Sequence, residues 1–126
     1  MIVGLDVKHL PSLKRLFIAV DKEWNEGWKY NPELTLVYES KGEVVGFLTG
    51  WECGQPYAWM DNLITAPDCN RPRVALQLIM TMTELLKRRG AETIRVVICR
   101  ESLVPQAERL GFVDEGKHTV MKYHVE

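Results

Sequence analysis

The stretch from Asp61 to Gly90 does most to limit what this chain can become, because it reads as a strand, a sharp break and a long helix in immediate succession. Tyr57 to Thr65 has strand character, Ala66-Pro67-Asp68 interrupts it, and a turn carrying Arg71 and Arg73 leads into the helix from Val74 to Arg89. Ala75, Leu78, Ile79, Met82, Leu85 and Leu86 recur at helical spacing, so one apolar stripe must face a core. The helix end is equally marked. Lys87, Arg88 and Arg89 place positive charge where it suits the dipole, and Gly90 can take the left-handed conformation that closes a helix. The beginning matters chemically: a helix N-terminus gathers unpaired backbone N–H groups and the positive end of the dipole, so a phosphate can bind there.

The remaining pattern fills in the same architecture. Ile2 to Leu5 suits a first strand, Asp6 a cap, and Leu10, Leu13, Leu16, Phe17, Val20 and Trp24 an amphipathic helix starting near His9 to Pro11. A loop with two large aromatics, Trp28 and Tyr30, follows. Leu34 to Glu39 and Val44 to Cys53 form a hairpin around the tight reversal Ser40-Lys41-Gly42-Glu43. Glu92 to Cys99 has the near-continuous apolar character of a central strand, Leu103 to Leu110 makes a short helix ended by Gly111, and the alternation within Val113 to Val125 predicts one or two closing strands. The order β-α-β-β-β-α-β-α-β, with the tail open to division into two, predicts an α/β layered fold with helices packed on a mixed sheet. No linker or repeat divides the chain, so residues 1–126 are read as one domain.

Composition excludes more than it selects. With 126 residues, 46% hydrophobic and a formal net charge of −1, the chain is long enough for a core and too nearly neutral for broad nucleic-acid binding. No apolar run approaches a membrane span and Met1 to Leu10 lacks a signal pattern, so no membrane partner and a cytoplasmic location are expected. Cys53, Cys69 and Cys99 are far apart, and His9, His118 and His124 have no catalytic spacing, so neither a disulfide framework nor a metal site is indicated and the histidines are read as surface residues.

The motif order resembles the GNAT superfamily of N-acetyltransferases over nearly the whole chain. Leu63-Ile64-Thr65-Ala66-Pro67 stands for the family's L-A-V-x-P strand, Asn70 to Ala75 for its (Q/R)-x-x-G-x-(G/A) loop, Arg89-Gly90-Ala91 for the R-G-A helix end, and Leu110-Gly111-Phe112 for its L-G-F. The resemblance implies a mostly antiparallel central sheet flanked by helices, acetyl-coenzyme A as acyl donor, and a primary amine of a small molecule or protein as acceptor. It also implies that the pantetheine arm pairs with the backbone of Leu63, Ile64 and Thr65, where the fourth strand splays from the fifth. The diphosphate would then lie at Asn70, Arg71, Arg73, Val74 and Ala75. The loop departs from the family pattern: Asn70 replaces the leading Gln or Arg, Arg73 replaces the first Gly, and only the small residue Ala75 is kept. Pro72 has no N–H to give, so Arg71 and Arg73 would have to supply charged donors instead.

The catalytic assignments follow from the same resemblance and from elementary chemistry. An amine must lose a proton before it attacks, which calls for a carboxylate or a water chain. Asp61, early on the fourth strand, is the first candidate, and Glu52, near the end of the third, is the second. Ala107 occupies the position of the family's proton-donating Tyr, and Arg100 that of an Asn that helps hold the coenzyme. Trp28, Tyr30 and Trp51 are expected beside the acceptor. The alternative reading is a GNAT-fold binding module or assembly subunit without catalysis, in which Trp28, Tyr30, Trp51, Tyr57 and Trp59 form a surface for a partner protein. The resemblance also implies a homodimer.

Overall fold

The computed structural model describes residues 1–22, 24, 31–98, 101–117, 119, 121, 123 and 125. Its strands are β1 (Ile2–Gly4), β2 (Thr35–Ser40), β3 (Glu43–Glu52), β4 (Tyr57–Thr65) and β5 (Thr93–Val96), and its helices are α1 (Leu10–Ala19), α2 (Arg71–Arg88) and α3 (Val104–Arg109). The strands form one sheet in chain order. Every neighbouring pair is antiparallel except β4 and β5, which run parallel because α2 carries the chain across between them. This is the mixed, mostly antiparallel α/β architecture that the sequence predicts.

Each face of the sheet has its own core. On one, Leu36, Leu48, Ala58 and Met60 pack against Val74, Leu78, Ile79, Met82 and Leu86, which is the apolar stripe of α2. On the other, Val37, Phe47 and Ile64 meet Leu13, Leu16 and Phe17 of α1. Helix α2 lies close because β3 carries glycines beneath it. A Cβ on Gly46 would stand 2.5 Å from Val74 Cγ1, and one on Gly50 would stand 2.7 Å from Met82 Sδ. The β2–β3 reversal turns through Lys41 and Gly42, both at positive φ, as a two-residue hairpin loop demands.

Several boundaries differ from the pattern. Helix α1 stops at Ala19 rather than Trp24, because Asp21 adopts φ 58° and Lys22 donates its amide back to Phe17 O at 2.8 Å, closing the helix as a glycine would. Trp24 then returns to pack edge-on against Phe17 at 5.3 Å. His9 is buried and not a surface residue: its Nδ1 accepts the Asp6 amide at 2.9 Å, and its Nε2 bonds the Glu39 carboxylate. Of the tail expected to hold one or two closing strands, every second residue from 118 on lies outside the described residues. Among the described residues no helix is long and apolar enough to cross a membrane, and no group of three His, Cys, Asp or Glu could hold a metal ion.

Candidate active site

The site is built where β4 leaves β5. The two strands pair from Tyr57↔Thr93 to Met60↔Val96, and Val97 donates its amide to Met60 O at 3.2 Å. Beyond Met60, β4 has no pairing with β5 among the described residues, while its other edge stays on β3 as far as Gly46↔Thr65. Between Thr49↔Asp61 and Phe47↔Ile64 the register shifts, so β4 carries one extra residue there, and Asn62 sits at φ 55°. A bulge of this kind bends its strand, and Asn tolerates the left-handed region better than most residues. The consequence is an opening between β4 and β5 with Asp61 at its apex.

Main-chain direction along the opening follows from the pairing. Ala66 donates to Val45 O at 2.8 Å and Ile64 lies opposite Phe47, so residues 64 and 66 turn their backbone groups toward β3. Alternation then turns the N–H and C=O of Leu63 and Thr65 away from β3, toward the opening. Of the three residues expected to present a backbone edge, Leu63 and Thr65 turn theirs away from β3, whereas the main chain of Ile64 serves the sheet.

The corner at the head of α2 is more closed than a phosphate loop. The helix begins at Arg71, not after Arg73. Asn70 caps it by accepting the Arg73 amide at 3.4 Å, Pro72 has no N–H, and the Val74 amide bonds Asn70 O at 3.0 Å. Among the described residues this leaves the Arg71 amide as the one N–H of the first turn with neither a cap nor a helical partner. Arg71 Nε reaches back to Ala66 O at 3.2 Å, and Arg73 is exposed. Val74 and Ala75 are buried against the sheet, so only backbone near them could approach an anion. The corner therefore offers guanidinium charge more than amides. Beside it the Cys69 thiol donates to Ala66 O at 3.1 Å, and burial pushes its pKa up, which keeps it protonated at neutral pH.

On the α1 side of the sheet, the residues at the apex stand in cross-strand rows. Val37, Phe47 and Ile64 form an apolar row, Thr35, Thr49 and Asp61 a polar one, and Trp51, Trp59 and Arg95 the next. Trp51 Nε1 donates to Asp61 Oδ1 at 2.9 Å, and the Arg95 guanidinium lies over the Trp59 ring at 5.8 Å while pairing with Glu115 at 3.1 Å. Glu52 is on the opposite face. Its carboxylate holds Arg89 Nη2 at 2.5 Å and Nε at 3.0 Å, and that pairing raises the Arg89 pKa. The two candidate carboxylates therefore do not share a cleft. Trp28, Tyr30 and Arg100 lie outside the described residues. Two surface clefts along Met80 and Glu84 of α2 contain none of these groups. Sequence reasoning passed over Asn62 and Thr49. An Asp-Asn pair inside a β run was a signal for the bulge. Nothing in the local pattern marked Thr49.

Comparison with known proteins gives this geometry a lineage. No curated protein sequence matches the chain. Solved structures do: a transcriptional regulator from Bacillus halodurans C-125 is 16% identical with a TM-score of 0.77, covering 98% of this chain and 99% of that one. An aminoglycoside acetyltransferase, meta-AAC0020, from an uncultured soil metagenomic sample, in complex with sisomicin, is 20% identical with a TM-score of 0.74, covering 100% and 96%. The aminoglycoside N-acetyltransferase AAC(6')-Iy in complex with CoA is 15% identical with a TM-score of 0.64, covering 100% and 99%. At such identities these likenesses carry the fold alone. A model of the acetyltransferase (GNAT) family matches residues 7–112, a span that runs from ahead of α1 past the end of α3, and the chain belongs to that family.

Proposed function

We propose that the chain is an N-acetyltransferase that moves an acetyl group from acetyl-coenzyme A to a primary amine of a small molecule or a protein. The observation that carries this reading is the opening of β4 from β5, which runs from the Arg71 and Arg73 corner down to the Asp61 carboxylate. From Thr65 to Asp61 it spans about 13 Å at roughly 3.3 Å per residue. Family membership supports it, as do a structural neighbour in complex with CoA and another in complex with the polyamine sisomicin.

When bound, acetyl-coenzyme A supplies the acetyl group as an activated thioester. The chain's part is to hold and orient. Arg71 and Arg73 neutralise the diphosphate, with the Arg71 amide as a backbone donor beside them. Leu63 and Thr65 pair with the pantetheine amides as an edge strand pairs with an added one. Asp61 takes the proton from the incoming ammonium, and Trp51 fixes the orientation of that carboxylate through its indole N–H. Ala107 is buried where the family's Tyr stands, and on this reading solvent protonates the departing thiolate.

Titration calorimetry with acetyl-coenzyme A tests the reading. Micromolar binding is expected, weakened at least about tenfold in an Arg71→Ala, Arg73→Ala variant because charge-assisted bonds are lost. Thiol release with a panel of primary amines that includes sisomicin then tests transfer. The capped first turn of α2 favours a second reading, a GNAT-fold module that binds a partner without catalysis. Absence of heat up to millimolar acetyl-coenzyme A would favour that one and end the first.

A further inference from the structure

The polar row across β2, β3 and β4 contains two fully buried threonines whose hydroxyls are treated differently. Thr35 is 1% exposed, and its Oγ1 donates to Asn31 O at 2.6 Å. Thr49 is 0% exposed, and its Oγ1 has no hydrogen-bond partner among the described residues. A buried hydroxyl is almost always paired, so an orphan needs a reason. Here its surroundings supply one. Thr49 lies directly opposite Asp61 in the β3–β4 ladder, so both side chains leave the same face of the sheet from neighbouring positions. Asp61 in turn marks the point where β4 parts from β5. Asp61 already receives Trp51 Nε1, and the Thr35 hydroxyl is already satisfied, which leaves Thr49 as the uncommitted polar group of the row.

We propose that Thr49 Oγ1, closed to solvent in the free protein, is a further acceptor-site residue, uncovered to an N–H of the amine substrate when that substrate binds. This inference deepens the acetyltransferase reading and rests on it. The substrate enters as an ammonium and gives one proton to the Asp61 carboxylate. A remaining N–H donates to Thr49 Oγ1, which turns the freed lone pair toward the thioester carbonyl. The C–N bond then forms, the C–S bond breaks, and its electron pair leaves on sulfur, which solvent protonates. The product amide releases its second proton to water. Two groups on adjacent strands would thus orient one nitrogen, Asp61 by accepting its proton and Thr49 by accepting a hydrogen bond.

The test compares Thr49→Val, which keeps the shape and removes the hydroxyl, with Thr49→Ser, which keeps the hydroxyl. Thiol release is followed at saturating acetyl-coenzyme A with sisomicin, or with whichever amine of the panel reacts fastest, and melting temperature is measured without ligand. Thr49→Val should lose at least about tenfold in kcat/KM for the amine and leave acetyl-coenzyme A affinity unchanged. Its melting temperature should equal or exceed the parent's, because the hydroxyl it removes has no partner in the free protein. Thr49→Ser should retain most of the activity. Parental activity in Thr49→Val overturns the inference while leaving the acetyltransferase reading intact, and so does a loss of activity that accompanies a lowered melting temperature. If the parent transfers acetyl to no amine, the functional reading fails first and the inference falls with it.

Discussion

Gly46 offers a way to test whether close packing of α2 on β3 sets the head of that helix. A methyl at Gly46 would stand 2.5 Å from Val74 Cγ1, 2.9 Å from Leu78 Cδ1 and 3.2 Å from Tyr38 Cβ. Val74 is β-branched and held to essentially one rotamer in a helix, so it cannot swing aside. Overpacking of this kind costs about 1–3 kcal/mol, offset by about 0.5–1 kcal/mol because Ala orders more readily than Gly in a strand. The net expectation for Gly46→Ala is a loss of about 1–2 kcal/mol in urea unfolding followed by tryptophan fluorescence. At Gly50 the added methyl would meet the flexible end of Met82, its Sδ at 2.7 Å, so Gly50→Ala should cost less. Because Val74 lies in the first turn, Gly46→Ala should also displace Arg71 and Arg73 and weaken acetyl-coenzyme A binding, which Gly50→Ala should not. The double variant Gly46→Ala, Val74→Ala should be more stable than the sum of its singles by at least about 1 kcal/mol, since the second change removes the clash. Additive singles, or a Gly46→Ala protein as stable as the parent, would refute the steric argument.

Three further outcomes follow from the same geometry. Asp61→Asn should lower turnover at least about a hundredfold, whereas Glu52→Gln should keep parental turnover and lose only a little stability with its partly exposed pair to Arg89; equal activity losses in the two would mean that Asp61 has no special role. The Glu43 carboxyl lies below its usual 4.5 because Ser12 and then Arg15 bond it. Its stabilising contribution is therefore present above the unfolded value and lost as pH falls through the folded one, so the melting temperatures of Glu43→Gln and parent should differ at neutral pH and converge in acid. A gap of constant size across that range would show the pairing to be irrelevant. Asn62 at φ 55° should accept Gly freely, while Asn62→Val should cost about 1–2 kcal/mol in the same urea assay; a neutral Val variant would place the bulge elsewhere.

Much of the fold was legible because its signals are local and periodic. The stripe from Ala75 to Leu86, closed by Gly90 at φ 101°, needed only helical spacing and one glycine, and the hairpin at Lys41 and Gly42 needed only a two-residue turn. The helix start was harder. Asn70 followed closely by Pro72 is itself a capping signal, yet aligning the segment with a glycine-rich loop placed the helix three residues too late. Glu52 and Asp61 looked alike as acidic residues near strand ends. Only the register, in which Trp51 faces Trp59 and Glu52 faces Ala58, puts one carboxylate with α2 and the other with the aromatic row. Thr49 could not be found at all without that register, because its significance lies in what stands across from it.

The bulge in β4 ties these points together. Ala58 and Met60 pack toward α2, yet Ile64 and Ala66 pack toward α1, although all four are even-numbered positions of an alternating segment. One extra residue between Asp61 and Ile64 reverses the alternation. Without it Ile64 would join the α2 core and Leu63 would turn to α1. An unbent β4 could also continue beside β5 beyond Met60, with the backbone groups of Asn62 and Ile64 spent on that ladder and those of Leu63 and Thr65 turned to β3. Asp61 is the last residue before the reversal, so it stands on the α1 side next to the first unpaired stretch of β4. The apolar row under α1, the polar row holding Thr49 and Asp61, and the open edge leading to Arg71 thus meet at one place, and Asn62, which can hold a left-handed backbone, is the residue that allows it.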